Sequence, residues 1–283
     1  MPGRQLFIPF SRIKLCWFFM ETPKVVILSG GEGTRLREET EYKPKPMVSV
    51  GGLPILWHIM KTYSHYGFND FVLCLGYKGE MIKQFFLNHE LMHNDFTIRL
   101  GEQASHTVHR LKEECENWSI TFVDTGLKSQ TGARIKRIEK YIDSDYFLAT
   151  YGDGLSDINI NSEIDFHKKL GVSATLAGVH PYSKFGLIQH EPSGIVSSFV
   201  EKPVLYDYVN GGFYVFNKEM FDHLDADESC VLEAAGGPLQ QLVKNKKLAM
   251  YRHDGFWHSM DTYKDYLELN KMWDENNRPW KTW

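Results

Sequence analysis

The sequence predicts an α/β protein with a mixed, mainly parallel central sheet and a smaller antiparallel region, and three observations predict it. Short β-branched runs alternate with segments of helical spacing through the first half of the chain. The first of those runs stops at a glycine-rich loop, the place where open parallel sheets bind ligands. In the second half, strand-like runs follow one another with only turn residues between them.

In order, residues 24–28 form an apolar, β-branched run that ends at Gly30 and Gly31, the pattern of a buried strand entering a loop. Residues 54–66 place Ile55, Ile59, Tyr63 and Tyr66 at helical spacing, and Gly67 ends the helix. Residues 71–75 are a second buried strand, followed by Gly76 and a helix from about 80 to 88. Residues 89–118 carry His89, His93, His106 and His109 among many charges and read as an excursion with short strands. A strand at 120–123, a short basic helix at 133–141 and a strand at 147–151 come next, the last running into Gly152-Asp153-Gly154. A helix near 163–170 leads to a strand at 174–179. Residues 186–189, 195–201 and 209–216 read as strands of an antiparallel region packed on the parallel one. Helices return at 238–244 and 262–275. With no internal repeat and no low-complexity linker, residues 20–283 read as a single domain.

The chain has 283 residues, 42% hydrophobic and 24% charged, with a net charge of −4. This composition lacks the basic excess of a dedicated nucleic-acid binder, yet leaves room for a local cluster of cations. Residues 1–19 hold a short apolar stretch at 15–19 behind Arg12 and Lys14. It is too short to span a bilayer and no small-residue cleavage site follows it, so it reads as an N-terminal extension outside the folded unit, either non-native or disordered. No other segment approaches the roughly 20 apolar residues of a membrane span. Cys16, Cys74, Cys115 and Cys230 are scattered without CxxC spacing, as expected of free thiols in a reducing, cytoplasmic compartment.

The most informative segment is residues 28–47, LSGGEGTRLREETEYKPKPM. Gly30, Gly31 and Gly33 let the backbone approach a ligand, and the amides of such a loop form a nest for anions. Arg35 adds a planar fork of donors for phosphate oxygens. Lys43 and Lys45 alternate with Pro44 and Pro46, which stiffen their presentation. Leu36 breaks the dinucleotide fingerprint, and the Gly-Lys-Ser/Thr ending of a P-loop is absent, which disfavours a dinucleotide-dependent epimerase or dehydrogenase.

Residues 30–36, GGEGTRL, resemble the G-G-x-G-T-R-L signature of the sugar-1-phosphate nucleotidyltransferases. Residues 43–48, KPKPMV, and 37–40, REET, resemble the cytidylyltransferase branch more than the thymidylyl or uridylyl branches, and the likeness continues from about residue 23 to the closing PWKTW. The resemblance implies a Rossmann-like nucleotidyltransferase fold whose smaller antiparallel region binds sugar. It also implies transfer of a cytidylyl group from CTP to α-D-glucose 1-phosphate, with Mg²⁺ as cofactor and a homo-oligomer, the hexamer among them, as the assembly. The rivals are UTP or dTTP in place of CTP, another sugar 1-phosphate, and a non-catalytic sugar-nucleotide-binding regulator.

Leu28, Gly30, Gly31, Gly33, Thr34, Arg35 and Lys45 belong to the nucleotide loop by that resemblance, with Arg35, Lys45 and Asp153 as its catalytic residues. Thr131-Gly132-Ala133-Arg134 resembles the T-G-x-R element beside the nucleotide; Arg134 is equally readable as a surface cation. Asp153, flanked by glycines after a strand, suits either a turn or a metal. Asp261 suits either a helix N-cap or a metal. The resemblance implies that the two aspartates hold Mg²⁺ together. Glu201-Lys202-Pro203, alone a solvated pair, matches the element that binds sugar and its phosphate, with Tyr151, Asn210, Gly212 and Trp257 lining the sugar pocket. One departure is Gly237, which precedes Pro238-Leu239 where the family usually has Glu; either Glu233 takes its place after a local shift or the position is not needed, which leaves the exact sugar preference open.

Overall fold

Seven strands form one sheet in the computed structural model, which describes residues 22–101, 105–109, 116–183 and 185–283. They are β1 (Val25–Leu28), β2 (Asp70–Leu75), β3 (Ser119–Asp124), β4 (Tyr146–Tyr151), β5 (Ala174–Val179), β6 (Val209–Asn217) and β7 (Leu248–His253). Their spatial order is β7-β5-β6-β4-β1-β2-β3. The pairs β3-β2, β2-β1, β1-β4 and β5-β7 are parallel, and only β6 runs against its neighbours β4 and β5. The chain leaves β1 toward β2 and β3 on one side and returns to β4 on the other. The β1/β4 boundary is therefore a topological switch point, and ligands of open α/β sheets bind outside the carboxyl ends of such strands.

The β1 residues explain why the strand lies at the centre. Val25, Val26 and Ile27 are fully buried, and their branched side chains point alternately into the two apolar layers on either face of the sheet. Helices cover those faces: α1 (Ile55–His65), α2 (Gly79–His93), α3 (Thr131–Arg137), α4 (Ile160–Leu170), α5 (Pro238–Lys244) and α6 (Tyr263–Asp274). Gly171, in the left-handed region at φ 62, stops α4, and Thr262 with Asp265 forms a capping box that starts α6.

Several sequence expectations need correction. The strand at 209–216 is not part of a separate antiparallel layer: β6 lies inside the central sheet between β4 and β5. Its inner segment, residues 211–216, is buried, as an internal strand must be. The separate antiparallel part is the exposed hairpin Leu187–His190 with Val196–Val200. Helix α2 continues to His93, so residues 89–93 are helical, and the excursion that follows is the hairpin Asp95–Arg99 with Ser105–His109. The basic helix at 133–141 is two pieces, α3 and a 3-10 turn Glu139–Tyr141. Strand β7 was not expected from the sequence. The N-terminal extension of residues 1–19, with Cys16, lies outside the described residues, as does Cys115.

On α4, Glu163 is 1% exposed and its Oε1 has no hydrogen-bond donor among the described residues. Burial pushes its carboxyl up to about 8 from 4.5. The folded protein therefore holds a proton that the unfolded chain releases, and stability falls as pH rises from about 4.5 to about 8. Glu163→Gln is expected to remove this slope. Its urea midpoint should exceed that of the wild type at pH 8, by the equivalent of a few kcal/mol, on the order of 1.4 kcal/mol per unit of pKa shift, and the two should converge near pH 5.

Candidate active site

Beyond β1 the chain turns through residues 29–33, where Ser29 N–H donates to Cys74 O at 3.0 Å. Gly33 takes φ 63 and starts the 3-10 turn Thr34–Leu36. A β-carbon there would lie 2.9 Å from Thr40 Cγ2 as well as being strained, so glycine is required. Buried Leu36 and the Thr40 hydroxyl, which donates to Leu36 O at 2.8 Å with Gly33 O 3.0 Å away, fix the loop from behind. The loop walls a pocket of about 310 Å³ completed by Leu28, Lys45, Thr131, Arg134, Tyr151 and Asp153.

Arg134 is 4% exposed, which excludes the surface-cation reading. Its Nη1 donates to Leu75 O, Thr125 Oγ1 and Gly126 O at 2.8–3.0 Å, and its Nη2 donates to Gly30 O at 2.9 Å. One guanidinium thus braces the loops after β1, β2 and β3 and leaves a positive charge in the pocket wall. Gly30 is required for this closeness, since a β-carbon would fall 2.1 Å from Arg134 Nη1. Burial draws the Arg134 pKa down, against the neighbouring Cys74 and Asp124. Gly132 packs against Cys230 and Thr34 is exposed; neither lines this pocket.

The two aspartates meet through a short ladder. Gly154–Ser156, separated from β4 by Gly152 and Asp153, pairs antiparallel with Trp257–Ser259. Met260 N–H then donates to Asp153 O at 2.9 Å, which sets Asp261 beside Asp153 although they are distant in the chain. Lys45, on the 3-10 turn Lys45–Met47, sends its ammonium between them: Nζ lies 2.6 Å from Asp153 Oδ2 and 2.9 Å from Asp261 Oδ1. Arg35 Nη2 lies 3.2 Å from the same Asp261 oxygen. Burial opposes the charge on Lys45, but the two carboxylates outweigh it and hold its pKa above 10.5. Burial likewise opposes the charge on Asp261, while Lys45 and then Arg35 hold its carboxyl below 3.8. Both groups are therefore ionised throughout the neutral range. The N-cap role open to Asp261 belongs to Thr262 instead, whose hydroxyl accepts from Asp265 N–H.

This donor set fits a small hard cation. Two part-exposed carboxylates face one space, and a cation, the Lys45 ammonium, already sits against both. Mg²⁺ is commonly held by one or two carboxylates together with substrate phosphates rather than by an all-protein cage. Among the described residues no cluster of three or more His, Cys, Asp or Glu forms such a cage.

Next to the acidic pair lies a second pocket of about 260 Å³, lined by Arg35, Tyr151, Asp153, Asn210, Trp257 and Asp261. The pairing of β5 with β6 shifts between Leu176 and Gly178, which face Tyr214 and Asn210, so β6 carries extra residues there. Such a bulge re-aims side chains and carbonyls. Gly211 O accepts from Trp257 Nε1 at 2.8 Å, and Asn210 faces the pocket. Gly212 takes φ 78 and lies behind Tyr151, where a β-carbon would strike the ring at 2.3 Å. A third cleft, about 630 Å³, shares Trp257 and Asp261 with the second and brings in Lys202. Glu201 is exposed, 3.6 Å from Lys202 Nζ, and lines none of the three. Glu233 reaches Thr131 and Tyr151 from behind. No local sequence signal could rank it as a contact of residues so distant in the chain.

The nucleotidyl transferase family model matches residues 24–276. The chain is 45% identical over 260 residues to the probable glucose-1-phosphate cytidylyltransferase of Bacillus subtilis, covering 92% of this chain and 100% of that one. It is 45% identical over 262 residues to the glucose-1-phosphate cytidylyltransferase of Salmonella typhimurium, covering 92% and 99%. The fold matches the crystal structure of HddC from Yersinia pseudotuberculosis at a TM-score of 0.62 and 22% identity, over 89% of this chain and 100% of that one. A glycine-loop pocket at the switch point, an acidic pair brought beside it and these likenesses have one reading: the chain is an enzyme of the nucleotidyl transferase family, on the branch of the glucose-1-phosphate cytidylyltransferases.

Proposed function

We propose that this chain transfers the cytidylyl group of CTP to α-D-glucose 1-phosphate, giving CDP-glucose and pyrophosphate. The carrying observation is the meeting of Arg35, Lys45, Asp153 and Asp261 in one cleft between the loop pocket and the Trp257 pocket. A phosphate oxygen of the sugar phosphate attacks the α-phosphorus of CTP, a P–O bond forms, the bond to the β-phosphate bridging oxygen breaks, and pyrophosphate leaves with that electron pair. No covalent bond to the enzyme is needed.

Two anions must approach each other, so the residues' work is charge neutralisation and alignment. Amides of the Gly30–Gly31–Gly33 loop and the cations Arg35 and Lys45 hold the triphosphate, with Thr131 and Arg134 at its side. Tyr151, Asn210 and Trp257 hold the sugar, and Lys202, with Glu201 beside it, meets the sugar phosphate. Asp153 and Asp261 would hold Mg²⁺, which when bound neutralises phosphate oxygens and the charge that develops on them. Support for a homo-oligomer comes from the exposed apolar residues Ile188, Phe199 and Val200 on the free hairpin. The free thiols Cys74 and Cys230 accord with a reducing, cytoplasmic setting.

With glucose 1-phosphate and Mg²⁺, CTP is expected to release pyrophosphate at a kcat/KM at least roughly tenfold above UTP and dTTP, a preference of about 1.4 kcal/mol. Equal or greater release with UTP or dTTP would overturn the base assignment. No release with any of the three would overturn the catalytic reading.

A further inference from the structure

We propose that Glu233 is a positioning residue for this reaction, setting from behind the wall that separates nucleotide from sugar. The inference rests on the reading of the cleft given above. Glu233 lies in the segment between β6 and α5, half-buried and outside both pockets. Its Oε2 accepts from the Thr131 hydroxyl at 2.9 Å, and that hydroxyl oxygen accepts from Leu232 N–H at 2.9 Å. Its Oε1 accepts from the Tyr151 hydroxyl. The Tyr151 and Tyr214 hydroxyls are 3.0 Å apart, and Asn210 Nδ2 donates to the Tyr214 oxygen at 2.6 Å.

Each hydroxyl has a single proton; Tyr151 gives its own to Glu233, and the Tyr214 oxygen lies 3.0 Å from the Tyr151 oxygen against 3.5 Å from Glu233 Oε1, so its proton goes to the nearer one. Asn210 donates to Tyr214, Tyr214 to Tyr151 and Tyr151 to Glu233; from the other side Leu232 N–H donates to Thr131 and Thr131 to Glu233. Both chains end on the same carboxylate, which has only acceptors to offer and satisfies both. Thr131 and Tyr151 line the nucleotide pocket, while Tyr151 and Asn210 line the sugar pocket. Glu233 therefore couples the two walls through their rear atoms. The Tyr151 ring lies close against Gly212, and its hydroxyl is fixed by Glu233 on one side and Tyr214 on the other.

Glutamine in this position cannot accept from both chains. If its oxygen accepts from Tyr151, its amide faces Thr131 Oγ1, which already accepts from Leu232 and has lost the acceptor for its own proton. Misplacing a wall by about 1 Å costs on the order of 100-fold in rate. With the nucleotide that the substrate comparison selects, Glu233→Gln is expected to lower kcat roughly 10- to 100-fold while KM for the nucleotide stays within about threefold.

Tyr151→Phe removes the same bond from its other end and should give a similar loss. The double variant should fall no further than the worse single one, because residues acting through one contact are not additive. A merely structural role would lower the melting temperature and the active fraction, without this kinetic split or this coupling. A folded Glu233→Gln with kcat within about threefold of wild type, or a double variant whose losses multiply, would overturn the proposal. If Glu233→Gln does not fold, Tyr151→Phe alone decides, by the same kcat threshold. A wild type that turns over no nucleotide removes the underlying reading and this inference with it, whereas a different base preference leaves it standing.

Discussion

Asp153→Asn and Asp261→Asn are each expected to lower turnover by roughly 1,000-fold or more at saturating CTP, glucose 1-phosphate and Mg²⁺. Asparagine keeps the shape of aspartate but removes the charge on which a hard divalent cation depends. The two carboxylates share one ammonium, so neither acts independently. The double variant should therefore be little worse than either single one, a non-additivity expected of groups that form one unit. Mg²⁺ should also raise the melting temperature of the CTP-bound wild type but not of CTP-bound Asp261→Asn, a readout that does not require turnover. Either single variant retaining Mg²⁺-dependent activity within about tenfold of wild type would remove the metal assignment; tenfold corresponds to only about 1.4 kcal/mol of barrier.

The pairing of these aspartates shows where sequence reading reaches its limit. Each was visible as a candidate because it stood beside a glycine turn or a helix start, and each had a plain alternative role. Their meeting depends on the three-residue ladder between Gly154–Ser156 and Trp257–Ser259, too short to leave a periodic signal. The first half of the sheet was legible for the opposite reason. β1 and β2 are continuous apolar runs buried on both faces, and glycine marks their ends. β7 was missed because LAMYRH mixes apolar and charged residues, as suits an edge strand with one neighbour. Arg134 was ambiguous because a lone arginine at a helix start reads the same whether it faces solvent or carbonyls. Only the convergence of Gly30, Leu75, Gly126 and Leu127 oxygens on its guanidinium decides the matter.

Lys45→Met should have an effect of similar size, with an opposite consequence for cation binding. The Lys45 side chain is 11% exposed and holds two carboxylates at 2.6 and 2.9 Å. Methionine fills similar space without charge, so the triphosphate loses a cation and turnover should fall roughly 100- to 1,000-fold. The carboxylates lose their partner as well. Two like charges then face each other in a partly desolvated cleft, which destabilises the nucleotide-free protein. In the wild type an added cation competes with the ammonium for Asp153 and Asp261; in Lys45→Met it does not. Mg²⁺ alone should therefore raise the melting temperature of Lys45→Met more than that of the wild type, since a ligand stabilises in proportion to its occupancy of the folded state. Lys45→Arg should recover part of the turnover and suppress this extra response, because the charge returns on a bulkier, planar group. Equal Mg²⁺ responses in wild type and Lys45→Met would mean that the ammonium and the divalent ion do not share the acidic pair. The neutralisation argument for the cleft would then have to rest on Arg35 and the loop amides.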